Sequence, residues 1–205
     1  MAAKLLTVSG ARGAPDHSIR DQIVVAATEH FRLYGFEKTT VSDLASAIGY
    51  SKAYIYKFFD SKQAIGEVIC ANCVQGIMAA VEQSVAGAET ASDQIRQMFR
   101  SLVDASVSLH STERKLYDIA VAATRDRWPC VAAFEEQIKE MLVQILKRGR
   151  KSGEFERKTP LDETLSAIFL VMDPYVSPLL LPHNLENAKQ AAMLLPSLIL
   201  RSLAA

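Results

Sequence analysis

The chain has 205 residues, enough for one large domain or two small ones, with 49% apolar and 22% charged residues. That composition excludes a wholly disordered chain and allows a sizeable core. Lysine plus arginine and aspartate plus glutamate number 23 each, so no global basic field draws nucleic acid or membrane, and any such binding must come from a local patch.

A small, Gly-punctuated arm is expected over residues 1–17. From Ser18 onward nearly everything scans as helix, so the expected class is all-α with about nine helices. The first helix runs from Ser18 to Tyr34, where Ile19, Ile23, Ala27, Phe31 and Tyr34 form one apolar stripe and Gly35 ends it. The second spans Val41 to Ile48, capped by Thr40 with Asp43 placed to answer, and Gly49 closes it. Ser51 caps a short third helix and Ser61 a fourth that reaches about Ala86. Longer helices follow over about Ala91–Leu109, Thr112–Arg125 and Pro129–Ser152, the last closed by Gly153. Thr159-Pro160 opens a helix to about Met172. Pro174, Pro178 and Pro182 then break the chain, and Asn184 caps a final helix to about Leu203. The apolar runs Leu165–Met172 and Ala191–Leu200 fall short of the ~18–20 residues that cross a bilayer, so both read as buried helix and no membrane partner is expected. No targeting segment is apparent. Three cysteines, Cys70, Cys73 and Cys130, are too few for a disulfide scaffold, and the odd count fits a reducing, cytoplasmic setting.

Thr40 to Phe58 is the informative stretch: two short capped helices joined by Ile48-Gly49-Tyr50, the helix-turn-helix pattern. The third helix buries Ile55, Phe58 and Phe59 and shows Lys52, Ala53, Tyr56 and Lys57, with Tyr54 beside them. Small Ala53 permits close approach, and Tyr56 and Lys57 have the length to reach phosphates or base edges in a major groove. Ser51 starts this helix. Lys62, in the first turn of the fourth helix, joins free backbone N–H groups as an anion site. Thr39 and Thr40 offer hydroxyl and backbone contacts to phosphate. Residues 1–65 hold eight basic and six acidic side chains, net +2, against fifteen and seventeen in the rest, net −2, which is the sign a polyanion partner requires.

These residues carry a family resemblance. The run Thr40-Val41-Ser42-Asp43-Leu44-Ala45, then Ile48-Gly49-Tyr50-Ser51-Lys52-Ala53-Tyr54-Ile55-Tyr56-Lys57-Phe58-Phe59 and Ser61-Lys62, preceded by Phe31-x-x-Tyr34-Gly35-Phe36, closely resembles the DNA-binding region of TetR-family transcriptional regulators. The resemblance covers about residues 19–66. It implies a dimeric, ligand-responsive repressor in which Tyr56 touches phosphate, Tyr54 and Lys57 sit at the groove, and Lys62 grips phosphate. Three residues depart from the pattern. Ala53 stands where Gly is frequent and Lys57 where His is frequent, which bears on the operator read. Asp60 sets a negative charge beside the phosphate site.

Three segments are expected: the arm over 1–17, a helix-turn-helix head over 18–62, and an effector-binding and dimerisation region over 63–205. The last two helices are apolar almost all round, so they are either internal core or the seam of a homodimer, with Leu165, Phe169, Met172, Leu194 and Leu198 as seam residues. Met78, Met98, Phe99, Tyr117, Trp128, Phe134, Met141 and Phe169 suit either an adaptable apolar cavity or ordinary core. His110 is a further candidate ligand contact. Cys70-Ala71-Asn72-Cys73 has redox or metal spacing, but no partner set accompanies it, so packing is the better reading and no metal or cofactor is expected. No catalytic constellation stands out. The expected function is therefore a repressor released from a near-palindromic operator on double-stranded DNA by a small apolar or amphipathic effector. The alternative is a helical small-molecule sensor or carrier that acts through protein contacts.

Overall fold

The computed structural model describes residues 15–205. Residues 1–14 of the expected arm lie outside these, and residues 15–17 open the first helix. Nine α-helices follow among the described residues: α1 (Pro15–Tyr34), α2 (Val41–Ile48), α3 (Lys52–Ile55), α4 (Lys62–Ala86), α5 (Ala91–Thr112), α6 (Arg114–Arg125), α7 (Pro129–Ser152), α8 (Leu161–Val176) and α9 (Leu181–Leu203).

Local chemistry sets most boundaries. Thr40 and Asp43 form a reciprocal capping box: the Thr40 hydroxyl accepts from the Asp43 N–H at 3.2 Å, and Asp43 Oδ2 accepts from the Thr40 N–H at 2.8 Å. The Thr40 hydroxyl also donates to Asp43 Oδ2 at 2.7 Å, and this bond, with that from the Thr40 N–H, holds the exposed Asp43 carboxyl below its ordinary range. Ser51 and Ser61 cap α3 and α4 by accepting from the Tyr54 and Ala64 N–H groups. Gly49 ends α2 at φ 78° and Gly153 ends α7 at φ 84°, left-handed positions that disfavour a Cβ.

Two boundaries beside prolines depart from the sequence-based expectation. Pro174 lies inside α8, which continues to Val176. It sits in the last turn, where the missing N–H leaves the carbonyl of exposed Leu170 without its helical partner. Asn184 does not cap α9, which starts at Leu181 with Pro182 in its first turn; the Asn184 side-chain amide donates back to the Leu180 carbonyl at 3.0 Å. Pro196 lies within α9, inside the span expected for the last helix.

Two apolar clusters organise the packing. The first joins Ile23, Ala27 and Phe31 of α1, Leu44 of α2, Ile55 of α3 and Ile65 and Ile69 of α4. It also takes in Ile119, Ala122 and Ala123 of α6, and Trp128. The second joins the far half of α4 (Met78, Val81, Val85) to α5, α7, α8 and α9. By length and composition α4 meets the criterion for a membrane-crossing helix, which the sequence-based expectation had assigned to no segment. In this fold it runs between the two clusters, packed on α1, α5, α6 and α7.

The far pole of the bundle is pinned by the α7–α8 turn. Glu154 accepts from the Ala91 and Ser92 N–H groups at 3.1 and 3.0 Å, occupying the free donors at the start of α5. Phe155 folds back onto Gly149 and pairs with Ala204 in an isolated antiparallel bridge, while the Glu156 N–H donates to the Leu203 carbonyl at 2.8 Å.

Two consequences are testable. A Cβ at Gly149 would fall inside contact distance of the Phe155 ring. Gly149→Ala should therefore lower stability by about 1–3 kcal/mol in urea unfolding, despite alanine's better helix propensity. Burial pushes the Glu154 carboxyl up, but bonds from Ser92, Ala91 and Ser152 outweigh it and hold the group at about 2. A depressed folded-state value contributes stability above the ordinary carboxyl range, lost as pH falls from about 4.5 to 2. Glu154→Gln should flatten that limb of the acid-unfolding curve.

Candidate nucleic-acid interface and cavity

The interface is built from the α2–α3 pair. Leu44, Ala45 and Val41 seat α2 on α1, and Ile55 and Phe59 seat α3 on the same cluster. The regular α-helix of α3 covers four residues. Its turns continue through Phe59, whose N–H donates to the Ile55 carbonyl at 3.1 Å. With that underside fixed, Ser51, Lys52, Ala53, Tyr56 and Lys57 all face solvent. Tyr54 is half-buried, its ring 4.9 Å from Tyr50 and 5.4 Å from Phe58. The Lys57 ammonium lies 5.5 Å from the Tyr54 ring and the Lys52 ammonium 5.8 Å from the Tyr56 ring. Each lysine is thus steered along the exposed side by an aromatic face. Thr40 is exposed at the start of α2.

Two expected contacts sit differently. Thr39 is 2% exposed, and its hydroxyl donates inward to the Gly35 carbonyl at 2.7 Å, so it ties the end of α1 instead of presenting a hydroxyl to phosphate. Lys62 is half-buried. Its ammonium donates to the Phe36 carbonyl at 2.8 Å and the Glu37 carbonyl at 3.3 Å, and lies 4.5 Å from the Phe36 ring centre. It answers the carbonyl end of α1 and its turn, a use of the cation that the sequence pattern does not distinguish from a phosphate contact.

Behind the head, α4, α5, α6, α7 and α8 enclose a cavity of about 170 Å³, among the helices the sequence pointed to. Tyr117, Phe134 and Phe169 line it. The other five aromatic and methionine candidates do not. Met78, Met98 and Phe99 are buried in the second cluster, and Trp128 packs in the first against Phe36. Met141 borders a separate shallow depression between α4, α7 and α8. His110 stands outside the lining, edge-on to Tyr117 at 4.8 Å, and its Nδ1 has no partner among the described residues.

Polar wall groups are mostly committed. The Tyr117 hydroxyl donates to the Pro178 carbonyl at 2.9 Å, and burial pushes it up to about 12. Thr124 donates to the Ala120 carbonyl at 2.8 Å. Cys70 and Cys73 contribute thiols to the wall. Burial pushes both up, Cys70 further because the Cys130 thiol lies against it, so at neutral pH both stay protonated. No group of three or more metal-ligating side chains occurs among the described residues. Glu135 of α7 and Asp173 of α8 also line the cavity. Neither was expected, yet Val131, Phe134, Glu135 and Ile138 share one helix face, and a carboxylate in an apolar stripe was the available signal.

Of the expected seam residues, Leu194 and Leu198 are each 56% exposed. Leu170 and Met193, not anticipated, are also exposed. Met172 is buried within its own chain, while Leu165 and Phe169 are half-buried against the second cluster. The all-round apolar character of α8 thus resolves into one side facing its own core and one facing out.

Comparison with known proteins agrees with this architecture. The family model described as bacterial regulatory proteins, tetR family, matches residues 23–68, and the one described as tetracyclin repressor-like, C-terminal domain, matches residues 91–193. The chain is 22% identical over 152 residues to the HTH-type transcriptional repressor KstR2 of Rhodococcus jostii, covering 74% of each. The fatty acid degradation regulator FadR from Bacillus halodurans superposes with a TM-score of 0.66 at 16% identity, over 93% of this chain and 97% of that one. FadR from Bacillus subtilis, solved in complex with stearoyl-CoA, gives 0.62 at 19% identity, over 90% and 97%. With a helix-turn-helix head and a C-terminal helical region each matched by its own family model, the chain belongs to the TetR family of transcriptional regulators.

Proposed function

We propose that this regulator is a cytoplasmic homodimeric repressor, not an enzyme, that leaves its operator when a small apolar or amphipathic effector enters the cavity. The observation that carries the reading is the α3 segment: its apolar side is buried on the head core while Lys52, Ala53, Tyr56 and Lys57 stand free. Residues 18–62 form the DNA-reading segment and 63–205 the effector and dimerisation region. The exposed strip of Leu170, Met193, Leu194 and Leu198 on α8 and α9 supplies an apolar seam for a second copy. Two heads on one duplex face then require a near-palindromic site with half-sites about 34 Å apart, or a multiple.

The cavity and the head share a wall. Ile119, Ala122 and Ala123 of α6 pack in the head core with Leu116 against it, and Leu116, Tyr117, Ile119 and Ala120 line the cavity, so Leu116 and Ile119 belong to both. Arg32 of α1 also donates to Glu113, just before α6, at 2.8 Å. An effector that fits one placement of α6 better than another shifts the head geometry by that difference in affinity.

Footprinting and gel shifts on the DNA upstream of the gene test the reading. If no duplex is preferred over random sequence at about 150 mM salt, the operator reading fails. The double variant Lys57→Ala, Tyr56→Phe should lose tenfold or more in operator affinity with unchanged thermal unfolding, and its salt slope should fall by about one. Lys62→Gln should behave differently. With its carbonyl anchors gone it should lose about 1–2 kcal/mol in urea unfolding while the salt slope moves by less than one.

A further inference from the structure

The charge set of the cavity mouth points to a class of effector. We infer that the cavity takes a small cationic amphiphile, an apolar body of about one ring with an amine or quaternary ammonium, in preference to a carboxylate or an acyl-CoA ester. The inference rests on the effector reading above and names its ligand.

The wall is apolar or internally bonded along almost its whole length. Of the lining side chains only Glu135 and Asp173 are solvent-exposed, so they mark where the cavity opens, between α7 and α8. They are also its only acidic side chains, and no Lys, Arg or His lines it. Neither carboxylate has an ion pair or hydrogen bond among the described residues. Lys139, one turn along α7 from Glu135, does not enter the cavity. It lies 5.7 Å from the Phe169 ring, 3.9 Å from Glu136, and borders the shallow depression on the other side. His110 meets the cavity only through Tyr117.

Helix ends do not reverse this balance. The last turns of α6 and α8 bring carbonyl ends to the wall through Thr124 and Val176, and the first turns of α7 bring N–H ends through Val131. The two full charges at the mouth therefore set its sign. An anionic head group would meet two uncompensated carboxylates, whereas a cation gains two partners without displacing an existing bond. The Phe134 ring beside the mouth adds a face that attracts a cation, while the Phe169 ring is already engaged by Lys139. Size sets the body: a dry cavity of ~150 Å³ holds one benzene-sized molecule.

The test uses three probes that share a phenyl group and a two-carbon arm and differ in charge: 2-phenylethylamine, 2-phenylethanol and 3-phenylpropanoate. Binding to the full-length protein is measured by calorimetry at neutral pH and low salt. The amine should bind about fivefold to tenfold tighter than the alcohol, the carboxylate weakest, and the amine's advantage should shrink in 0.5 M salt. Glu135→Gln, Asp173→Asn should bring the amine level with the alcohol while alcohol binding and thermal unfolding hold. Equal or tighter binding of the carboxylate, or an amine preference that survives the double variant, overturns the inference. So does the absence of binding by all three probes. Operator binding by the unliganded protein is measured in parallel, so failure of the DNA reading is told apart from failure of the ligand class.

Discussion

The reading head holds its place because the start of α4 is locked against the turn that follows α1. At Gly66 the helix comes so close to its neighbours that an added Cβ would meet the Phe36 ring at 2.8 Å and Trp128 at 3.0 Å. The absent side chain lets Phe36 lie edge-on to both Phe31 and Trp128, at centroid separations of 5.2 and 5.7 Å. One turn earlier, Lys62 reaches back to the carbonyls of Phe36 and Glu37. Rings, glycine and ammonium together fix where α1 ends, and hence where α2 and α3 begin.

This junction makes the head and bundle mechanically continuous. The head core borrows three residues from α6 and one from the turn before α7, so α1–α3 do not form a self-contained ball on a tether. At the surface, Arg125 at the end of α6 reaches Glu37 at 3.5 Å. That exposed pair contributes little energy but shows how near the two parts run. α6 therefore touches both the base of the head and the cavity wall without any long chain of intermediates.

The sequence was legible where local chemistry decides the outcome. Thr40, Ser51 and Ser61 announce helix starts because their hydroxyls bond their own backbone, and Gly49 and Gly153 announce ends because of their φ. Ile55 and Phe59 against Lys52 and Lys57 announce which side of α3 is buried. Legibility failed where tertiary neighbours decide. Pro174 looked like punctuation, but α8 runs through it to Val176. Met98 and Phe99 had the right chemistry for a cavity and were used as core, because composition does not say whether a helix face meets a void or another helix. Lys62 and Thr39 kept the family pattern while turning inward, since a cation or hydroxyl near a helix end serves a carbonyl as well as a phosphate.

The Phe155–Ala204 bridge has a practical corollary. It ties the last described residues to the end of α7 and, through Glu154, to the beginning of α5. That pole is separated from the α1–α4 junction by the 25 residues of α4, about 37 Å of helix. Anything joined after residue 205, whether a fluorophore, a surface tether or further polypeptide, therefore emerges away from the α2–α3 pair and leaves it unobstructed.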